Sequence, residues 1–236
     1  MVKAVFFDWY NTLARYQPPR EELLSQALKE YGIDVSPQRV LPGLVVADKD
    51  YFEANASRPI RERSPEEQAE LFNRYLTTVL TMAGIDVPAQ PGTLMKVMSR
   101  MQQLSQGLDF VLFDDVLPAL ASLKKRSFTI GLLTNLDRDM RPICRRLGLE
   151  PYVDLVITSA EVGADKPQPP IFLAALERAG VSASEAVHVG DHYALDVMGA
   201  RGVGIGAILL DRFQTYPEIR DCTRISSLTE LAGCLP

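Results

Sequence analysis

Five short apolar runs punctuate the chain: Val2 to Phe7, Phe128 to Thr134, Leu155 to Thr158, Ala186 to Val189 and Ile205 to Leu210. Each is nearly continuous in apolar character and is bounded by turn-forming or polar residues. Strands of that kind are covered on both faces, so the runs predict a parallel sheet with helices above and below. Between the last four the apolar spacing turns helical, over Asp137 to Leu147, Pro170 to Ala179 and Tyr193 to Ala200. Gly148, Gly180 and Gly202 follow these stretches, where a residue able to enter the left-handed region ends a helix at no Cβ cost. Strand alternates with helix, and the predicted fold class is α/β.

The interval after the first run is of another kind. More than a hundred residues separate it from the second run, where a plain crossover needs about a dozen. Helical spacing recurs inside it: Leu23, Ala27, Leu28 and Tyr31; Leu71, Tyr75, Leu76, Val79 and Met82; Leu94, Val97, Met98, Met101 and Leu104. Ser64-Pro65-Glu66-Glu67 reads as a capping box with proline at the first helical position. A helical module over residues 16–108 is therefore expected as an insert. The core is expected over 1–15 and 109–236, resuming near Asp114 with a helix over Val116 to Lys125.

Composition narrows the function classes. With 47% hydrophobic and 23% charged residues and a net charge of −5, the chain of 236 residues is a folded protein with a large core and a poor partner for nucleic acid. The few apolar residues before Asp8 are too short for the apolar region of a signal peptide, and no run approaches the ~18 residues of a membrane helix. Cys144, Cys222 and Cys234 are odd in number and lack metal-ligand spacing, which reads as free thiols in a reducing compartment. The expectation is a cytoplasmic protein with no membrane or nucleic-acid partner.

Parallel sheets bind ligands outside the carboxyl ends of their strands. There the first run delivers Asp8, Asn11 and Thr12; the second Thr134 and Asn135; the third is followed by Lys166-Pro167; the fourth delivers Gly190, Asp191 and, one helical turn on, Asp196. Alone, an Asp after a strand is usually a cap or turn former; four such deliveries in register are a constellation. Asp8, Asp191 and Asp196 would converge with Lys166 as the only obvious cation. Like charges at that range resist joint ionisation, so either a carboxylate keeps its proton or a cation is missing from the sequence. A hard divalent ion fits the deficit, and Mg²⁺ is the expected cofactor.

The order Asp8-x-x-x-Thr12, Thr134-Asn135, Lys166-Pro167 and Gly190-Asp191-x-x-x-x-Asp196 resembles the haloacid dehalogenase-like hydrolase superfamily. The resemblance implies a Rossmann-like parallel-sheet core with an inserted α-helical cap, and catalysis through an aspartyl nucleophile. It makes Asp8 the nucleophile within a catalytic set of Asp8, Thr12, Thr134, Asn135 and Lys166. Thr134 and the Asn135 backbone would hold a phosphoryl oxygen, the Trp9 amide would touch one, and Lys166 would balance charge. Mg²⁺ would be held by Asp8, Asp191 and the backbone carbonyl of Tyr10, with Asp196 supporting from behind. The implied activity is a phosphatase acting on small phosphorylated metabolites.

One position departs from the phosphatase pattern. That branch carries an acid two residues after the nucleophile, to protonate the leaving group; here the residue is Tyr10. Such help is worth ~10²–10⁴ in rate, and a phenol of reference pKa about 10 is a poor substitute. The 2-haloacid dehalogenase branch does have tyrosine there, works without metal, replaces the acids of "GDHYALD" by neutral residues, and binds substrate with a cap arginine. Arg39, Arg58, Arg61 and Arg63 are the cap arginines to weigh. Retention of Asp191 and Asp196 favours the metal-dependent phosphatase over that alternative, and retention of Asp8, Lys166 and Asp191 argues against a non-catalytic ligand-sensing protein. His188 reads as a hydrogen-bonded core residue, His192 as either a stand-in proton donor or a spectator, and the Met95, Met98, Met101 stripe as helix core.

Overall fold

A computed structural model describes residues 1–86, 92–136 and 138–235. The chain divides into two compact units, Met1–Arg15 with Phe110–Pro236, and Tyr16–Asp109. The larger unit holds a six-stranded sheet of β1 (Ala4–Phe7), β4 (Thr129–Thr134), β5 (Leu155–Thr158), β6 (Ala186–Gly190), β7 (Gly206–Leu210) and β8 (Thr223–Ile225), in the order β5-β4-β1-β6-β7-β8. Every pairing is parallel, which gives the α/β, Rossmann-like fold. Two further short strands, β2 (Ala14–Gln17) and β3 (Asp109–Leu112), pair where the chain passes between the units.

The apolar runs become strands because both of their faces are covered. All four residues of β1 and all five of β6 are buried. In register, Gly131 lies between Phe6 and Leu155; a Cβ there would come within 2.7 Å of the Phe6 ring and 2.6 Å of Leu155 Cδ1. Gly131 thus makes room for two large neighbours. The helix Pro169–Ala179 places Ile171, Phe172 and Ala175 against Phe6, Leu133 and Ile157, then ends on Gly180 at φ +64°. The helix expected over Val116 to Lys125 has those bounds.

Two helices of this unit differ from expectation. The one expected from Asp137 spans Arg141–Arg146, with Pro142 in its first turn, where a missing N–H costs no helical hydrogen bond, and Asp137 lies outside the described residues. The stretch from Tyr193 opens with a π turn over Tyr193–Val197 and only then continues as Met198–Gly202. Strand β8 was also outside the expectation, since three residues bearing exposed Thr223 and Arg224 carry no apolar run.

The smaller unit contains α1 (Arg20–Glu30), α2 (Pro37–Ser57), α3 (Pro65–Met82) and α4 (Thr93–Leu104). Its core joins Leu24 and Leu28 to Val40 and Leu44, Leu76, Val79 and Leu80, and Val97 and Met101. The Ser64 capping box forms, with Glu67 N–H donating to Ser64 Oγ at 3.3 Å and Ser64 N–H to Glu67 Oε2 at 2.7 Å. Met101 is buried and Met98 packs on the same core. Helix α2 escapes the spacing reading because Pro42 and Gly43 look like breakers. Pro42 lies within α2, and Gly43 is where α2 meets the backbone of α3: a Cβ would lie 2.7 Å from Val79 Cα. Among the described residues no helix is long and apolar enough to cross a membrane.

Candidate active site

Strand β1 is flanked by β4 and β6, and from it the order runs to β5 on one side and to β7 and β8 on the other. The carboxyl ends of β1, β4 and β6 therefore meet at a topological switch point, where open α/β sheets take their ligands. Asp8 follows β1 and its N–H donates to the Val189 carbonyl at 2.9 Å. Thr134 ends β4, and Asp191 follows the last residue of β6.

The turn after Asp8 is tight. Leu13 and Ala14 both donate N–H groups to the Trp9 carbonyl, at 2.9 and 3.0 Å, and Asn11 N–H donates to Ala14 O at 2.8 Å. Asn11 adopts φ +60°, a conformation asparagine tolerates better than most residues, and its side chain hydrogen-bonds Asp191. The Trp9 ring is fully buried and stands edge-on to Phe110 at 5.3 Å. Thr12 is fully buried, and its Oγ1 has no hydrogen-bond partner among the described residues. Tyr10 is half-buried and bridges to Ala14.

Lys166 is delivered by a grip on its own peptide. Its N–H donates to Asn135 Oδ1 at 2.8 Å while Asn135 Nδ2 donates to its carbonyl at 3.1 Å. Its Nζ then lies 2.5 Å from Asp8 Oδ1 and 2.7 Å from Asp196 Oδ1. The Asn135 side chain thus holds the lysine loop, a contact the sequence reading, which used only the Asn135 backbone, did not contain. Thr134 Oγ1 accepts from Leu136 N–H at 3.3 Å, which leaves its own proton to donate.

Asp196 is presented by the π turn, a widened turn that recurs at functional sites. Its carboxylate folds over Gly190, where a Cβ would lie 2.2 Å from Asp196 Cγ; close approach, not backbone strain, requires that glycine. Asp196 Oδ1 also meets His188 Nε2 at 2.9 Å, and Oδ2 accepts from His192 N–H at 3.0 Å. His188 is a buried core residue, edge-on to Phe172 at 5.3 Å. His192 Nδ1 accepts from Leu195 N–H at 3.4 Å and its ring meets Tyr216 edge-on at 6.1 Å, so it caps the turn.

Charge is out of balance here. Asp8, Asp191 and Asp196 bring carboxylate oxygens within 4.8 Å of one another. Burial, then the charges of Asp8 and Asp196, push Asp191 well above the ordinary carboxylate range. Burial likewise raises Asp8, against the pull of Lys166. Burial would raise Asp196 too, but the Lys166 charge and the His188 hydrogen bond outweigh it and hold Asp196 low. For Lys166 burial favours the neutral form, and the charges of Asp196 and Asp8 win, keeping it cationic. Lys166 and Asp196 therefore settle as a charged pair, and the surplus negative charge falls on Asp8 and Asp191. An all-oxygen donor set whose carboxylates outnumber its lysine by two fits a hard divalent ion such as Mg²⁺.

Within the smaller unit, three of the four arginines under consideration are committed to the fold. Arg39 Nη2 donates to Ala83 O at 2.5 Å. Arg58 pairs with Glu67 Oε1 at 2.7 Å, and Arg63 Nη2 donates to Ala54 O at 2.5 Å and Arg58 O at 2.9 Å. Arg58 and Arg63 thus tie the end of α2 to the start of α3. The side chain of Arg61 is outside those described.

A model of the haloacid dehalogenase-like hydrolase family matches residues 2–204. The chain is 36% identical over 216 residues to a glyceraldehyde 3-phosphate phosphatase of Methanopyrus kandleri, spanning 90% of this chain and 85% of that protein. It is 30% identical over 220 residues to a ribulose-1,5-bisphosphate 5-phosphatase of Halopiger xanaduensis, spanning 89% and 85%. Among solved structures, a 2-haloacid dehalogenase of Pseudomonas syringae pv. tomato aligns at 28% identity with a TM-score of 0.56, covering 99% of this chain and 97% of that one.

Proposed function

The chain belongs to the haloacid dehalogenase-like hydrolase family, and from that premise we propose that it is a Mg²⁺-dependent phosphatase of small phosphorylated metabolites with Asp8 as nucleophile. The observation that carries the reading is the trio Asp8, Asp191 and Asp196 around a single lysine. A site meant to hold an anionic substrate with that surplus of negative charge needs a cation. The phosphatase names of the two relatives support the same substrate class.

In this reading Asp8, Asp191 and the Tyr10 carbonyl would hold Mg²⁺, with Asp196 behind them, and the ion would supply offsetting charge for the phosphoryl oxygens. The Asp8 carboxylate attacks phosphorus as the bond to the leaving oxygen breaks, giving an aspartyl phosphate. Lys166 holds Asp8 Oδ1 at 2.5 Å and so balances its charge and orients the carboxylate. Thr134 donates its hydroxyl proton to a phosphoryl oxygen beside the Asn135 amide. Water then attacks the phosphorus, releasing phosphate and restoring the carboxylate. Tyr10 leaves the departing alkoxide without an efficient proton donor, which restricts turnover to substrates with good leaving groups.

A 2-haloacid dehalogenase is the second reading, favoured by Tyr10 and by the dehalogenase of similar structure. Against it stand the retained acids and the internal commitments of Arg39, Arg58 and Arg63. Fluorine NMR of the protein with beryllium fluoride tests the phosphatase reading. A Mg²⁺-dependent adduct that vanishes in Asp8→Asn is expected; no adduct together with no turnover on a broad panel would favour the ligand-sensing reading instead.

A further inference from the structure

Arg212 lies two residues beyond β7 and 200 residues from the nucleophile turn, yet reaches it directly. Its guanidinium forks onto Asp115, with Nη1 to Oδ2 and Nη2 to Oδ1 both at 2.8 Å, and Nη2 also donates to the Thr12 carbonyl at 2.9 Å. The group stacks over the Phe113 ring at 4.2 Å. Asp115 Oδ2 accepts two more hydrogen bonds, from Ser227 Oγ at 2.7 Å and Leu228 N–H at 2.9 Å. Asp115 is held below the usual carboxylate range: burial opposes ionisation, and the donors from Arg212, Ser227 and Leu228 prevail. The neighbouring carbonyl, Leu13 O, accepts from Phe113 N–H at 3.1 Å.

Two consecutive carbonyls at the end of the Asp8 turn are thus held from outside, while Trp9 O gathers Leu13 and Ala14 N–H within it. The turn is cross-linked within itself, and its outer anchor is a planar guanidinium fork. We infer that the Arg212–Asp115 pair positions the turn that carries Asp8, acting through the Thr12 carbonyl. Arg212 is a positioning residue and makes no contact with the reacting atoms. The inference rests on Asp8 being the nucleophile. A displacement of about 1 Å in such a turn is enough to cost ~10²-fold in rate, and a lysine reproduces the charge but not the fork.

The test uses the full chain as wild type, Arg212→Lys, Arg212→Gln and a surface control, Arg145→Met, which breaks an exposed pair with Glu150. Amide exchange by mass spectrometry over residues 8–14 is expected to quicken about fivefold or more in both Arg212 variants. The control and the β5 segment should keep wild-type rates. With an aryl phosphate and Mg²⁺, kcat is expected to fall about 10- to 100-fold with KM within about threefold, and Arg212→Lys to retain more activity than Arg212→Gln. Unchanged exchange over 8–14, or a raised KM at wild-type kcat, would overturn the inference. Absence of phosphate release from the wild type would instead count against the nucleophile reading, and the exchange arm would still decide the anchor. Should Arg212→Gln fail to fold, Arg212→Lys carries both arms.

Discussion

At the scale of single residues the site is defined by an imbalance that one lysine leaves uncorrected. Asp191 is raised and so binds its proton more tightly in the folded state than in the unfolded one; without metal, stability from this group falls as pH rises above the unfolded value of ~3.9. Asp196 is lowered and works in the opposite sense: its contribution is full above that value and is lost only as pH falls through the folded one. Above the unfolded value the penalties of Asp191 and Asp8, both raised by burial, grow with pH while Asp196 stays ionised, and a bound cation relieves them. The rise in Tm that Mg²⁺ gives should therefore grow from pH 5 to pH 8. A tenfold change in proton affinity is ~1.4 kcal/mol, or about 3–6 °C for a chain of this size. Scanning calorimetry of metal-stripped protein checks this, and an increment that is flat or shrinks with pH would contradict it. Tyr10→Asp should raise turnover on alkyl phosphates by ~10²-fold or more while changing aryl phosphates little; equal rates before and after would remove Tyr10 from the explanation of substrate range.

At the scale of elements, spacing predicted strands and most helices because apolar periodicity is a local property. It did not reach interactions that only the fold creates. Spacing gave no helix over Pro37–Ser57, which contains Pro42 and Gly43, whereas in space Gly43 is the contact that lets α2 approach Val79. Gly43→Ala should destabilise the protein by about 1–3 kcal/mol through overpacking, read as a lower urea midpoint at an unchanged slope. Far-UV circular dichroism should keep the α2 helix in that variant. The π turn over Tyr193–Val197 is likewise silent in sequence, since no residue type marks it; the fold shows its use, which is to bring Asp196 over Gly190 and onto Lys166 and His188. The grip of Asn135 on the Lys166 peptide belongs to the same class.

At the scale of the molecule, the parallel sheet was legible because continuous apolar runs with intervening helices admit few other arrangements. What the runs could not convey is their order. That β1 sits between β4 and β6 is what brings residues 8, 134 and 191, far apart in the chain, to one switch point. The edge strand β8 and the Arg212 anchor arise from the same closure of distant segments and leave no periodic trace. Catalytic class, by contrast, turns on chemistry at that point: the acids argue for a cation and phosphoryl transfer, and Tyr10 argues for halide displacement. The direct comparison is phosphate release from an aryl phosphate against halide release from a 2-haloacid, on metal-stripped protein with and without Mg²⁺. Phosphate release that requires Mg²⁺ and disappears in Asp8→Asn is the expected result; halide release that proceeds without metal would contradict it.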